Sequence, residues 1–164
     1  MFSRASFRPV SLLLLALVLA GSTSVVSSGA TTTTLSPAGG KIVNLVVSPS
    51  VRLSLFDAAA AYHQLPPSDY TGLLAHETYY AYDGATHRYY AAAGLVPSRS
   101  SQQAQIGTQD DGGYNLFTRA ASATKWTVYN DGLGASSEAI CPVHLPAALL
   151  ALWGWRKASC FPPL

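Results

Sequence analysis

Apolar residues in this chain change their spacing several times, and each change marks a different element. Val10 to Ala20 (VSLLLLALVLA) is an apolar run broken only by Ser11. Ile42 to Val47 (IVNLVV) is short and β-branched, which reads as a strand or as the lead-in to a helix. From Val51 the spacing becomes helical. Val51, Leu55, Ala58 and Tyr62 form a stripe that Phe56 and Ala59 widen, while Arg52, Asp57 and His63 fall away from its centre. Ser48 supplies a cap and Pro49 a first-turn proline. Leu65-Pro66-Pro67 ends the helix, because a residue before proline avoids helical geometry.

Beyond the prolines the pattern predicts strands. Leu73 to Tyr82 and Thr86 to Val96 are rich in tyrosine and are separated by Asp83-Gly84. Gln102 to Gln109 and Gly113 to Arg119 flank Asp110-Asp111-Gly112, and Lys125 to Asn130 runs into Asp131-Gly132. Three Asp-Gly pairs at strand ends signal tight turns, since glycine accepts the positive φ that such turns use. Pro146 to Trp153 (PAALLALW) returns to helical spacing, with Gly154 just past its end. The expectation is an α+β fold. One main N-terminal helix packs on a four- to five-stranded antiparallel meander, and a short disulfide-clamped helix follows at the C-terminus. A helix followed by a meander resembles the cystatin-like and NTF2-like architectures, in element order alone and with no function attached.

The first apolar run changes the picture of where the chain works. It is too short to span a bilayer as a helix, and Arg4 and Arg8 precede it, so residues 1–30 read as a secretory signal. Small residues allow cleavage after Ala20 or after Ala30. Leu19-Ala20-Gly21-Ser22 resembles the lipobox of bacterial lipoproteins, with Ser22 in place of the lipidated cysteine, which points to a released bacterial protein. Residues 31–40, rich in Thr, Ser and Gly, read as a flexible tether, and residues 41–164 as a single globular domain. The expected location is secreted, extracellular or in the cell envelope, with membrane contact only through the transient signal.

Charge narrows the partners. Ten Lys and Arg face eight Asp and Glu, and removal of Arg4 and Arg8 with the signal leaves eight against eight. No basic run is present, so nucleic-acid binding is not expected. The candidate partners are a cell-wall glycan, a peptide or another envelope protein.

Cys141 and Cys160 are the two cysteines. An even count in an exported chain, with no C-x-x-C spacing, predicts one structural disulfide. It would close a loop of about 20 residues and stabilise the fold by ~3 kcal/mol on the chain-entropy model.

The chemistry-bearing stretch is Glu77 to Ala93, ETYYAYDGATHRYYAAA. A four-residue loop from Asp83 to Thr86 would set Tyr82 opposite His87, Tyr80 opposite Tyr89 and Tyr79 opposite Tyr90. Tyr80, Tyr82, His87 and Tyr89 then share one face of the hairpin, and Tyr79, Arg88 and Tyr90 the other. One helix covers one face, so some of these rings are exposed, covered by a loop, or used. Tyrosine builds sheets well and tolerates partial exposure, so a purely structural role accounts for the stretch. The functional reading is an aromatic platform of Tyr80, Tyr82, His87, Arg88 and Tyr89, suited to a sugar, a peptide or a protein. Trp126 reads as a core strand residue, and the apolar C-terminal segment with Trp153 and Trp155 as buried or as a docking surface.

Enzyme signatures are thin: no nucleophile-elbow, zinc-protease or phosphate-loop motif occurs. His63, His76, His87 and His144 are scattered, and no cofactor, metal or catalytic residue is assigned. A non-catalytic binding or interaction module is the preferred expectation. The alternatives are a small secreted hydrolase pairing His87 or His76 with an aspartate, and a purely structural accessory protein.

Overall fold

The computed structural model describes residues 40–109, 112–130, 141–157 and 160–162. The expected signal segment, the tether apart from Gly40, and the turn residues Asp110, Asp111, Asp131 and Gly132 lie outside them. The described residues belong to one compact unit. Among them are six strands, three α-helices and a 3-10 turn at Pro67–Asp69.

The elements run β1 (Ile42–Asn44), α1 (Pro49–Tyr62), β2 (Tyr70–Leu73), β3 (Tyr79–Asp83), β4 (Arg88–Pro97), α2 (Gln102–Gly107), β5 (Tyr114–Ala120), β6 (Thr127–Tyr129) and α3 (Ala147–Trp153). All pairings are antiparallel, in the order β1-β3-β4-β5-β6, with β2 also paired to β4. The fold is α+β. The ten-residue β4 is its spine. Its first half pairs with β3 and its last residues with β2. Neighbouring residues of a strand bond to opposite sides. Thus Gly94 O accepts from Leu74 N at 2.8 Å while Leu95 N donates to Gly113 O at 2.8 Å. β2 therefore continues the line of β3 along one side of β4, and β5 holds the other.

α1 begins as its sequence dictates. Ser48 is extended, its hydroxyl accepts from Val51 N at 3.2 Å, and Pro49 opens the helix. The buried stripe is rotated from the expected one. Leu55, Ala59 and Ala60 are buried, His63 and Arg52 are partly buried, and Tyr62 is exposed. Four consecutive alanines, Ala58 to Ala61, polarise the helix weakly, so tertiary contacts choose the face. Arg52 follows by lying along the surface while its Nη1 donates to Leu73 O at 3.3 Å.

Two further expectations are corrected. Gln102 to Gln109 is not a strand: Ser101 accepts from Ala104 N at 3.2 Å and caps α2. Its residues are good helix formers, and Ala104 alone among α2 is buried, so no two-residue alternation exists for a strand to use. Ile42–Asn44 joins the sheet as a strand, which takes the count to six with one strand ahead of the main helix.

The hairpin register also differs. Tyr82 faces Tyr89, Ala81 faces Tyr90, Tyr80 faces Ala91 and Tyr79 faces Ala92, with Asp83 opposite Arg88 closing the loop. The Asp83 carboxylate sets this by accepting from Ala85 N at 2.9 Å and from the Thr86 hydroxyl at 2.7 Å. Positive φ falls on His87, at 50°, and not on Gly84.

Both faces of the sheet are covered by apolar clusters. Tyr80, Ala91, Ala93 and Phe117 share a core with Leu55, Ala59 and Ala60 of α1. Ala81, Tyr90, Ala92, Tyr114 and Leu116 share a second core with Leu149, Leu150, Trp153 and Trp155. Tyr79 packs on Trp153 at 5.5 Å and edge-on to Trp155 at 5.3 Å. The tyrosines that could not fit under α1 are thus met by the C-terminal segment. α3 starts one residue later than expected, with Pro146 as its cap, and ends at Gly154, whose φ of 70° only glycine adopts freely. Cys141 and Cys160 form the disulfide, with Cα atoms 5.5 Å apart, and fix the flanks of α3. Among the described residues no helix is long and apolar enough to cross a membrane.

Candidate functional site

The face of the sheet that carries α1 is organised in rows, because directly paired residues point to the same side. Val43, Tyr82, Tyr89 and Arg119 lie in register across β1, β3, β4 and β5. Trp126 precedes β6 and continues the row, since Thr118 pairs with Thr127. One step inward lie Tyr80, Ala91, Phe117 and Val128. The inner row is the floor of the core beneath α1. The outer row is more open: Val43, Tyr89, Arg119 and Trp126 are all half-buried.

Aromatic and cationic contacts tie the outer row together. The Arg119 guanidinium carbon lies 4.9 Å from the centre of the Tyr89 ring and 4.7 Å from that of Trp126. Tyr89 stacks on Tyr80 at 5.7 Å and tilts against Tyr82 at 4.9 Å. Trp126 meets Tyr80 and Phe117 edge-on, each at 6.2 Å, and its indole N–H donates to the Ser54 hydroxyl at 3.1 Å. α1 thus reaches the outer row at Trp126. Arg119 Nε is buried with no hydrogen-bond partner, while the guanidinium lies over two rings and close enough to the Tyr80 hydroxyl to bond it. Burial and the neighbouring Tyr89 raise the Tyr80 phenol above its ordinary pKa, and Arg119 nearby opposes that shift.

The residues singled out from the sequence divide by depth and by face. Tyr80 and Tyr82 are 7% and 3% exposed and serve as supports. Tyr89 stands at the opening. His87 is exposed on the loop, and its Nδ1 lies 3.0 Å from the Tyr82 hydroxyl. Arg88 points to the opposite face, where Nη1 donates to Thr118 Oγ1 at 3.4 Å. Arg119 and Trp126 were not foreseen as site residues. Arg119 alternates with Phe117 along β5, which places both on one face. The β4–β5 register, joined through α2 and not through the hairpin, sets them against Tyr89 and Ala91.

The groups of the hydrolase alternative are placed as follows. His76 is exposed, at φ 64°, between β2 and β3. His87 bonds Tyr82, whereas the Asp83 carboxylate bonds its own loop. Burial works against ionisation of Asp83, yet the Thr86 hydroxyl and the Ala85 and Thr86 amides outweigh it and hold the carboxyl below its ordinary pKa. Among the described residues no group of three or more His, Cys, Asp or Glu lies close enough to share a metal ion.

A second concavity of about 550 Å³ lies between the end of α1 and α2, lined by Tyr62, His63, Ile106, Gln109 and Asn130 among others. Burial lowers the His63 pKa. Asn115 is close enough to favour the protonated ring, but Nε2 makes no satisfactory hydrogen bond. That nitrogen is buried, so the concavity does not offer it to a visitor.

Comparison with known proteins finds no family model, no curated protein and no solved structure that matches this chain.

Proposed function

We propose that the protein is an exported, non-catalytic binding module that holds an extended ligand across the outer row, with Tyr89, Arg119, Trp126 and His87 in contact and Tyr80 and Tyr82 beneath. One observation carries this reading: a continuous aromatic-cation row stands half-open beside the main helix. Tyr, Trp and Arg are the side chains that concentrate binding energy at interfaces. From β3 to β6 the row crosses three inter-strand steps, or about 14 Å, a shallow strip suited to a chain-like ligand.

In this reading α1 packed on the β3–β6 meander is a frame that shelters the inner row and leaves the outer one accessible. The N-terminal signal pattern supports placing the module in the bacterial envelope or the medium, where glycans and peptides are the available ligands. Arg88 contributes charge at the rim from the other face.

A screen of the purified protein against cell-wall glycans and peptides tests the proposal. A hit should weaken in Tyr89→Ala and Trp126→Ala variants whose circular dichroism remains native. Unchanged binding in both variants would remove the outer row from consideration.

A further inference from the structure

We infer that Asp83-Gly84 is a latent modification site, where the backbone converts to isoaspartate once the β3–β4 loop opens and not while it is closed. Its chemistry needs no ligand. Aspartate before glycine is the pair most prone to this rearrangement, because no Cβ shields the following amide nitrogen. Among the described residues Asp57 precedes Ala58, Asp69 precedes Tyr70, and Asp83 alone precedes glycine.

The Gly84 nitrogen attacks Asp83 Cγ, a C–N bond forms, and the amide proton leaves with the carboxyl hydroxyl as water. Water then reopens the cyclic imide. Where it breaks the bond from Gly84 N to the Asp83 main-chain carbonyl, the chain runs on through the side chain, one carbon longer. A carboxylate is left on Cα. No oxidant, reductant or cofactor enters.

The closed hairpin opposes each requirement of that step. The nitrogen is engaged, since Gly84 N donates to Lys41 O at 3.2 Å. The carboxylate is engaged as well, Oδ1 accepting from Ala85 N at 2.9 Å and Oδ2 from the Thr86 hydroxyl at 2.7 Å. Burial opposes ionisation, yet these bonds keep the group charged below its ordinary pKa, and a carboxylate resists attack. Asp83 also pairs with Ile42 on one side and Arg88 on the other. Both ladders hold its ψ extended, whereas ring closure has to swing the next peptide toward the side chain.

The fastening is local. Ala85, Thr86 and His87 are exposed, so the loop can open ahead of the core. The damage falls on the outer row, because Tyr82 and Tyr89 are the next pair inside Asp83 and Arg88, and Val43 pairs with Tyr82. An extra backbone carbon at residue 83 removes the spacing those pairs require. A chain that stays open too long is thereby marked and no longer closes this hairpin in register.

The test ages the full protein folded, and the same protein unfolded in guanidinium chloride, at one neutral pH and one temperature. Peptide mapping with electron-transfer fragmentation reads isoaspartate at residue 83. The unfolded chain should form it about as fast as at Asp111 and Asp131, which also precede glycine. The folded protein should form it at least about ten-fold more slowly at residue 83, the worth of one charge-assisted contact. Thr86→Val should recover about that factor while its near-ultraviolet circular dichroism stays native. Should Thr86→Val fail to fold, the folded-to-unfolded ratio in the natural protein still decides. Equal rates in the two states overturn the protected site, as does a folded Thr86→Val variant that ages no faster than the natural protein. After dilution from denaturant, isoaspartate at residue 83 should be confined to chains lacking native dichroism. Its presence in the native fraction overturns the marking.

Discussion

Tyr79 and Trp155 meet edge-on with ring centres 5.3 Å apart, joining the hairpin to the last segment of the chain. The contact explains how the tyrosines on the second face of the ribbon are sheltered. One side is met by α1, and the other by a short helix that a single covalent link holds in place.

That link gives the first prediction. The double variant Cys141→Ser with Cys160→Ser should lose about 3 kcal/mol of stability, the worth of closing a loop of this length. It should also shift Trp fluorescence to the red, as Trp153 and Trp155 leave the sheet. Urea titration with fluorescence detection reads both effects. Full stability with unshifted emission would show that packing alone holds the segment.

Acid should destabilise the fold in two steps. Burial depresses the His63 pKa below its ordinary 6.5, so the unfolded chain binds the proton more readily. Stability contributed by neutral His63 is complete above 6.5 and is lost as pH falls through the lower folded value. Asp83 behaves alike in a lower window. Its stabilising contribution is complete above the ordinary 3.8 and disappears as pH falls through the depressed folded pKa. Urea midpoints measured from pH 7.5 to pH 3 should show the upper step missing in His63→Gln and the lower one missing in Asp83→Asn.

Gly112→Ala should cost about 1–3 kcal/mol, the range for forced overpacking. A β-carbon there would come within 2.6 Å of Gly107 O and 2.9 Å of Gln109 O, both rigid backbone atoms. Thermal denaturation of the variant checks this. The glycine is needed for room, since its φ is not among the positive ones.

Local rules were legible in the sequence, and pairing was not. The Ser48 cap, the helix end before Pro66, the Gly154 terminus and the cysteine pair follow from nearest-neighbour chemistry, and each is found. Alternation together with an even-numbered hairpin loop also groups Tyr80, Tyr82 and Tyr89 on one face. The Asp83 carboxylate, by bonding Ala85 and Thr86, sets the β3–β4 register, but what places Arg119 against Tyr89 is the separate β4–β5 register, reached through α2. A one-residue change in the closing pair moves every cross-strand partner. The strand assigned to Gln102–Gln109 went astray for a different reason. The Asp-Gly turn signal does not specify what precedes it, and here it follows a capped helix whose polar residues leave little for a sheet to bury.

Among the described residues the sheet ends laterally in β1, β2 and β6, of three, four and three residues. A margin so brief presents few unpaired amides and carbonyls, and Lys41 and Lys125 flank it with charge. Strands from a second molecule would find almost no template to extend. Short edges of this kind offer little for edge-to-edge growth, despite a core strand as long and apolar as β4.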